Sequence, residues 1–81
     1  MDEIVIPANA YLSNNVFENT DGNDGVKEVY CKATSSSKLS YNTFGNNNSI
    51  TDVYFTWSQP SSENRYGLRP EATIHYDWVP D

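Results

Sequence analysis

The sequence predicts an all-β domain, a small antiparallel β-sandwich or barrel of five to six strands with an irregular N-terminal segment. Asn, Ser and Thr make up close to a third of the 81 residues, whereas Ala and Leu are scarce, a composition that opposes helices. No window carries a sustained apolar stripe at helical spacing. Several short segments instead alternate apolar and polar residues between turn-forming clusters, which is typical of strands.

The first quarter of the chain is the least regular part. Ile4–Ile6 reads as a short strand that stops at Pro7, and residues 10–17 read as extended or irregular chain. Two Asp-Gly pairs within residues 19–25 then favour a tight turn. We treat residues 1–81 as one β domain and residues 1–25 as a candidate extended arm that orders on a neighbouring chain.

Three segments alternate most clearly, and a fourth is predicted to pair with the first of them. Strands are expected at 26–34, 50–58 and 71–79, with a return strand at 39–44 that forms a hairpin with the first. The residues expected to face the core are Val29, Cys31, Ala33, Val53, Phe55, Trp57, Ala72, Ile74, Tyr76 and Trp78. Their neighbours in each strand are expected to face solvent.

The supply of core residues is small. Leu, Ile, Val and Phe form only about a fifth of the chain, and the six Tyr and two Trp must supply much of the remaining apolar area. A domain of this size is marginally stable alone. A partner protein or further copies of the chain are therefore expected to add stability, and a homo-oligomer is one way to do so.

The chain has few groups suited to catalysis. It contains one Cys and one His, and the alternation places Cys31 toward the core and His75 toward solvent. No phosphate-binding loop, nucleophile elbow or zinc-ligand spacing is present. The sequence therefore predicts a protein that is not an enzyme and has no cofactor.

Two loops contain oxygen ligands of the kind that bind calcium. Asp21–Gly25 fails the EF-hand pattern, because Val26 and Lys32 stand where Gly and Glu are required. Residues 47–53 resemble the calcium signature of βγ-crystallin domains, but Asp52 stands where that family has Ser, and its earlier aromatic-plus-Gly motif is not recognisable. We predict no metal site, and calcium binding by either loop stays open.

The formal net charge of −6 argues against direct binding to a nucleic-acid backbone. The sequence shows neither a transmembrane stretch nor a signal peptide, so a virion or the host cytoplasm is the expected location. The expected partner is another protein, either a capsid or tail lattice or a basic host protein.

The leading interpretation is a non-enzymatic structural or assembly protein. A compact β-domain rich in Asn, Ser, Thr and Tyr resembles small virion components, such as the capsid decoration proteins and minor head or tail proteins of phages. The resemblance implies binding to a larger protein lattice. The candidate contact residues are Arg65, Tyr66 and Arg69 in the loop before the last strand, followed by Tyr30 and Tyr54.

The alternative is a small acidic inhibitor of the phage anti-defence type. Such a protein imitates a nucleic acid and blocks a basic protein surface. Its contact would consist of outward carboxylates, those of Glu28, Asp52, Glu71 and Asp77. A lectin-like module ranks third, because the two Trp residues that could stack on a sugar, Trp57 and Trp78, are expected in the core.

Overall fold

The computed structural model describes residues 3–16, 25–45 and 49–80. Its strands are β1 (Glu3–Ile6), β2 (Glu28–Cys31), β3 (Asp52–Tyr54) and β4 (Thr73–His75), and a short 3-10 helix spans Ser36–Lys38. The strands form one sheet in the order β1-β2-β3-β4, and every neighbouring pair is parallel. Among the described residues, no helix is long and apolar enough to cross a membrane.

The predicted antiparallel sandwich or barrel of five to six strands is wrong. The described chain has a single sheet of four parallel strands, and the predicted hairpin strand at 39–44 is replaced by an isolated bridge at Leu39 and a run of turns. The error has a physical source, because alternation with one wet face is typical of antiparallel sheets. Parallel strands are usually joined by α-helices, whereas the described parts of these connections contain turns, irregular chain, one isolated bridge and the short 3-10 helix.

Each strand repeats the one before it in register. Glu3, Glu28, Asp52 and Thr73 are aligned across the sheet, so successive strands begin 21 to 25 residues apart. This spacing is typical of solenoids, in which each repeat stacks only on its neighbours. We call a strand and the connection that follows it a coil.

A second line of contacts joins the coils away from the sheet. Leu12 and Leu39 form an isolated parallel bridge. Beside it, the Asn42 side-chain amide donates to Asn15 Oδ1 at 2.7 Å, and the Asn42 backbone N–H donates to Asn14 Oδ1. Gly67 of the next coil packs closely against Asn42. It has φ +86°, and a Cβ at this position would lie 2.2 Å from Asn42 Oδ1. Glycine is therefore required at this position.

The inward residues of the sheet form the core, as the alternation predicts for β2 and β3. Val29, Cys31, Val53 and Phe55 are fully buried, and Phe55 stacks on Trp57 with ring centroids 4.3 Å apart. Ile74, Tyr76 and Trp57 pack against this core and stay partly exposed. A parallel repeat thus buries the same strand positions that an antiparallel sheet would have buried.

Trp78 is the exception to the predicted alternation. Asp77 has φ +58°, which turns the chain out of the extended conformation directly after β4. The Trp78 ring consequently lies beside Tyr30 and Tyr54, both of which point outward from the sheet. The prediction that Trp78 faces the core is wrong, because one left-handed residue reverses the parity of the strand.

Candidate protein-binding face

The outward side of the sheet carries two aligned rows of side chains. The first contains Glu3, Glu28, Asp52 and Thr73, and the second contains Val5, Tyr30, Tyr54 and His75. In-register parallel pairing produces these rows, because equivalent positions of successive strands lie side by side. We call the central part of this surface the aromatic face, and it comprises Glu28, Tyr30, Asp52, Tyr54, His75 and Trp78.

Three rings of the aromatic face stack along the sheet. The rings of Tyr30 and Tyr54 are 4.6 Å apart and 7° from parallel, and those of Tyr54 and His75 are 4.3 Å apart and 9° from parallel. Each stacked pair adds about 0.5–1.5 kcal/mol beyond the area it buries. The column is therefore held in one geometry before any partner arrives.

Trp78 tilts over this column from the side. Its ring centroid lies 5.5 Å from that of Tyr30 and 6.3 Å from that of Tyr54, with interplanar angles of 50° and 56°. The backbone fixes this position, since the Trp78 N–H donates to Phe55 O at 2.9 Å. The indole and the two phenols thus enclose an angled aromatic surface that stays partly exposed.

Two carboxylates border the rings and bond to them. Glu28 Oε2 accepts from the Tyr30 hydroxyl at 3.1 Å, and this hydrogen bond is the main cause that raises the pKa of Tyr30 to about 12. Asp52 Oδ1 lies 2.9 Å from His75 Nε2, while the Thr51 hydroxyl donates to Asp52 Oδ2. The bond to His75, followed by that from Thr51, lowers the pKa of Asp52. The Asp52 and His75 side chains remain 33% and 38% exposed, so both are accessible to a partner.

This arrangement suits a cationic partner better than a sugar. Sugars stack on open ring faces, but both faces of Tyr54 are covered, by Tyr30 on one side and His75 on the other. The column presents ring edges, hydroxyls and carboxylates instead. Lys and Arg side chains bind to carboxylates and hydroxyls through charge-assisted hydrogen bonds.

The loop predicted as the leading contact surface has a different arrangement. Arg65 Nη2 donates to Arg69 O at 2.7 Å and to Ala72 O at 2.6 Å, and Arg69 Nη2 lies 3.4 Å from Ile50 O. Tyr66 is buried and meets Phe55 edge to face at 5.6 Å. All three side chains thus have partners inside the protein, so we do not assign the contact surface to them.

The predicted acidic surface divides into two parts. Glu28 and Asp52 lie on the aromatic face, together with the predicted contact residues Tyr30 and Tyr54. Glu71 is exposed in the turn before β4, and Asp77 follows β4 with its carboxylate accepting from the Ser58 hydroxyl at 2.8 Å. The structure thus joins two of the four predicted carboxylates with two of the predicted tyrosines.

Sequence reasoning missed His75 and Trp78 as members of this surface. A signal for His75 was present, because Glu28–Cys31, Asp52–Phe55 and residues 73–76 read EVYC, DVYF and TIHY. These are three versions of one pattern in which an aromatic ring follows a β-branched residue. No comparable signal exists for Trp78, since its position depends on the backbone turn at Asp77.

Other predicted features are only partly described. The calcium candidate at 21–25 lies almost entirely outside the described residues, and the one at 47–53 does so in part. β1 pairs with β2 of the same chain, whereas residues 17–24 of the candidate arm lie outside the described part. Within the described ranges there is no cavity and no group of three or more His, Cys, Asp or Glu placed to hold a metal.

Comparison with known proteins gives no match. No family model, no curated protein and no solved structure is similar to this chain. The functional argument therefore rests on the geometry of the aromatic face.

Proposed function

We propose that this chain is a non-enzymatic structural or assembly protein that binds another protein through the aromatic face. The observation that carries the proposal is the stacked column of Tyr30, Tyr54 and His75 with Glu28 and Asp52 hydrogen-bonded along it. Tyr and Trp are enriched at the energetic centres of protein interfaces. Rings already fixed by stacking lose little conformational entropy when a partner covers them.

The charge of the face defines the partner's chemistry. Two carboxylates lie beside the rings, and the whole chain carries a formal net charge of −6. A partner surface that presents Lys or Arg is attracted over a distance and then held by local hydrogen bonds. The composition resembles that of small virion proteins, and this resemblance supports a capsid or tail lattice as the partner.

A second candidate is the acidic inhibitor that blocks a basic surface. It is favoured by one observation, the alignment of Glu28 with Asp52 in the same outward row. The two functions differ in their response to salt. Binding dominated by charge weakens strongly as ionic strength rises, whereas binding anchored by buried rings persists.

An array of random dodecapeptides, probed with labelled protein at 0.1 and 0.5 M NaCl, tests the proposal. We expect the bound peptides to be enriched in Arg and Lys and the binding to be lost in the double variant Tyr30→Ser, Tyr54→Ser. The matched control is Tyr11→Ser, Tyr41→Ser, which changes two tyrosines that are 75% and 81% exposed outside the aromatic face.

The outcomes separate the candidates. Loss of binding in the aromatic-face variant but not in the control, with retention at 0.5 M NaCl, supports the assembly protein. The same loss, combined with release at 0.5 M NaCl, supports the inhibitor. Binding that survives the aromatic-face variant and disappears in the control contradicts both.

A further inference from the structure

Within residues 3–16, 25–45 and 49–80, the sheet has two unpaired edges, one at β1 and the other at β4. In a parallel sheet, alternate residues of a strand form backbone hydrogen bonds to opposite sides. On β4, Thr73 N–H donates to Thr51 O and His75 O accepts from Phe55 N–H, so the N–H and C=O of Ile74 point to the open edge. On β1, Ile6 O accepts from Lys32 N–H, and Val5 therefore has its N–H and C=O at the opposite edge.

We propose that a second copy of this chain docks end-on, with its β1 pairing in parallel with β4. The two edges are complementary in phase. The aligned positions of each strand in the described sheet are numbered here from Glu3 or the residue aligned with it. The backbone groups of the first and third positions form hydrogen bonds to the preceding strand, and those of the second position form hydrogen bonds to the following strand. β4 offers Ile74, at the second position, and β1 offers Val5, at the third. Docking of β1 on β4 thus continues the same ladder.

The side chains match as well as the backbone. In this register, Ile4 of the incoming copy lies beside Ile74, and Ile6 lies beside Tyr76. Ile4, Ile74 and Tyr76 are only partly buried in the single chain, whereas the equivalent Val29 and Val53 of the inner strands are fully buried. End-on docking therefore completes the inward apolar rows at both ends of the sheet.

The outward rows add a polar contact. Glu3 of the incoming copy is aligned with Thr73 and lies diagonal to His75, at a separation that cross-strand pairs commonly bridge. Val5, which is 50% exposed in the single chain, covers the free face of the His75 ring. The occupant is therefore a second copy, because its first strand supplies the donors, the apolar residues and the carboxylate that this edge accepts.

Such a contact joins different surfaces of the two copies and does not close on itself. Heterologous contacts of this type build open chains of subunits unless a rotation closes them into a ring. This contact gives the proposed assembly role one partner, the chain itself. It is formed by the backbone edges of β1 and β4, and the only residue of the aromatic face that it covers is His75, so either proposal can fail without the other.

A mixed disulfide experiment tests the register directly. One sample carries Glu3→Cys, another carries Thr73→Cys, and the two are mixed under mild oxidation. Aligned residues of neighbouring strands lie within the Cα separation that a disulfide spans, about 4.4–6.8 Å. Cys31 is buried, and burial raises the pKa of its thiol, so the unsubstituted chain serves as the unreactive control.

We expect a covalent dimer in the mixture and little or none in either sample alone. Adding Val5→Pro to the Glu3→Cys chain removes the edge donor but no hydrogen bond within the chain, and we expect at least a tenfold loss of the dimer. Val5→Thr, which keeps the donor, is the matched control. No dimer in the mixture, equal dimer in a single sample, or a dimer that Val5→Pro leaves unchanged would overturn the proposal.

Discussion

The aromatic face and the 63–72 segment contain the same residue types that protein interfaces favour, yet they use them differently. In the 63–72 segment, the guanidinium groups bond to backbone carbonyls and Tyr66 lies in the core. On the aromatic face, the Tyr30 and Tyr54 rings stack on each other, the Tyr30 hydroxyl donates to the outward Glu28 carboxylate, and both rings remain partly exposed. Residue type alone therefore does not identify a contact surface. The side chain must also remain accessible to a partner after it has formed its contacts within the folded protein.

The largest expected loss of stability follows from substitution of Tyr66. Tyr66→Ala removes a buried ring that packs on Phe55, and we expect it to lower the free energy of unfolding by about 3–5 kcal/mol. Tyr41 is the control, because it is 81% exposed, and Tyr41→Ala should change the same quantity by less than about 0.5 kcal/mol. Urea titration followed by circular dichroism measures both. Equal effects would show that Tyr66 is not a core residue.

Arg65 gives the next largest effect. Arg65→Ala removes two short hydrogen bonds to the carbonyls of Arg69 and Ala72, and the side chain is about one-third exposed. Because solvent screens a partly exposed group, we expect the free energy of unfolding to fall by only about 2 kcal/mol.

Arg65→Lys tests whether the shape of the guanidinium matters. Lysine keeps the charge but cannot place two donors on two carbonyls with a planar group, so we expect it to recover less than half of the loss. The measurement is again chemical unfolding. If Arg65→Ala instead leaves stability unchanged and removes peptide binding, the 63–72 segment becomes a contact surface.

On the aromatic face, we expect a substitution to affect partner binding more than stability. Tyr54→Ala breaks both stacked pairs of the column, and we expect a modest loss of about 1–2 kcal/mol in stability. Binding to the basic peptides selected from the array should fall at least tenfold, because the central ring of the face is gone. Fluorescence anisotropy of a labelled peptide measures this change. Retained affinity in a folded Tyr54→Ala variant would contradict the proposed role of the column.

The smallest expected effect is the pH dependence that Asp52 contributes. The hydrogen bond from His75 lowers the pKa of Asp52 below its ordinary value of 3.8. Because the folded pKa is the lower one, the stabilisation is present above the ordinary value and is lost as the pH falls through the folded pKa.

We therefore expect unfolding midpoints in urea to fall less between pH 6 and pH 2.5 for Asp52→Asn than for the unsubstituted chain. Glu71→Gln, which removes an exposed carboxylate outside the aromatic face, is the control and should behave like the unsubstituted chain. A steeper decline in Asp52→Asn would show that the bond to His75 does not stabilise the folded protein.

Alternation in the sequence correctly predicted which residues of β2 and β3 are buried, but it could not predict the direction of the strands. Val29 and Cys31 are inward whether the next strand runs parallel or antiparallel, so the pattern contains no information on this point. The repeat of EVYC and DVYF at a spacing of 24 residues does indicate the strand direction. A similar segment that recurs at such a spacing favours coils that stack in register, with their strands parallel.

The candidate site was predictable only in part. Tyr30, Tyr54, Glu28 and Asp52 follow from outward positions on their strands, and the in-register repeat explains why they meet. Trp78 reaches the same surface because the backbone of Asp77 is left-handed. The alternating sequence around Asp77 predicts a continuous extended strand and does not indicate this turn. Arg69 bonds to Ile50 O in a different coil, a contact that the local sequence does not indicate, whereas Arg65 bonds to carbonyls within the 63–72 segment.

The most direct test of the account is a nuclear Overhauser spectrum of the aromatic protons in the unsubstituted chain. The account predicts contacts between the rings of Tyr30 and Tyr54 and between those of Tyr54 and His75, whose centroids are 4.6 and 4.3 Å apart. It predicts no direct contact between Tyr30 and His75, because Tyr54 lies between them. The absence of the Tyr30–Tyr54 contact in a folded sample would contradict both the parallel register and the proposed binding face.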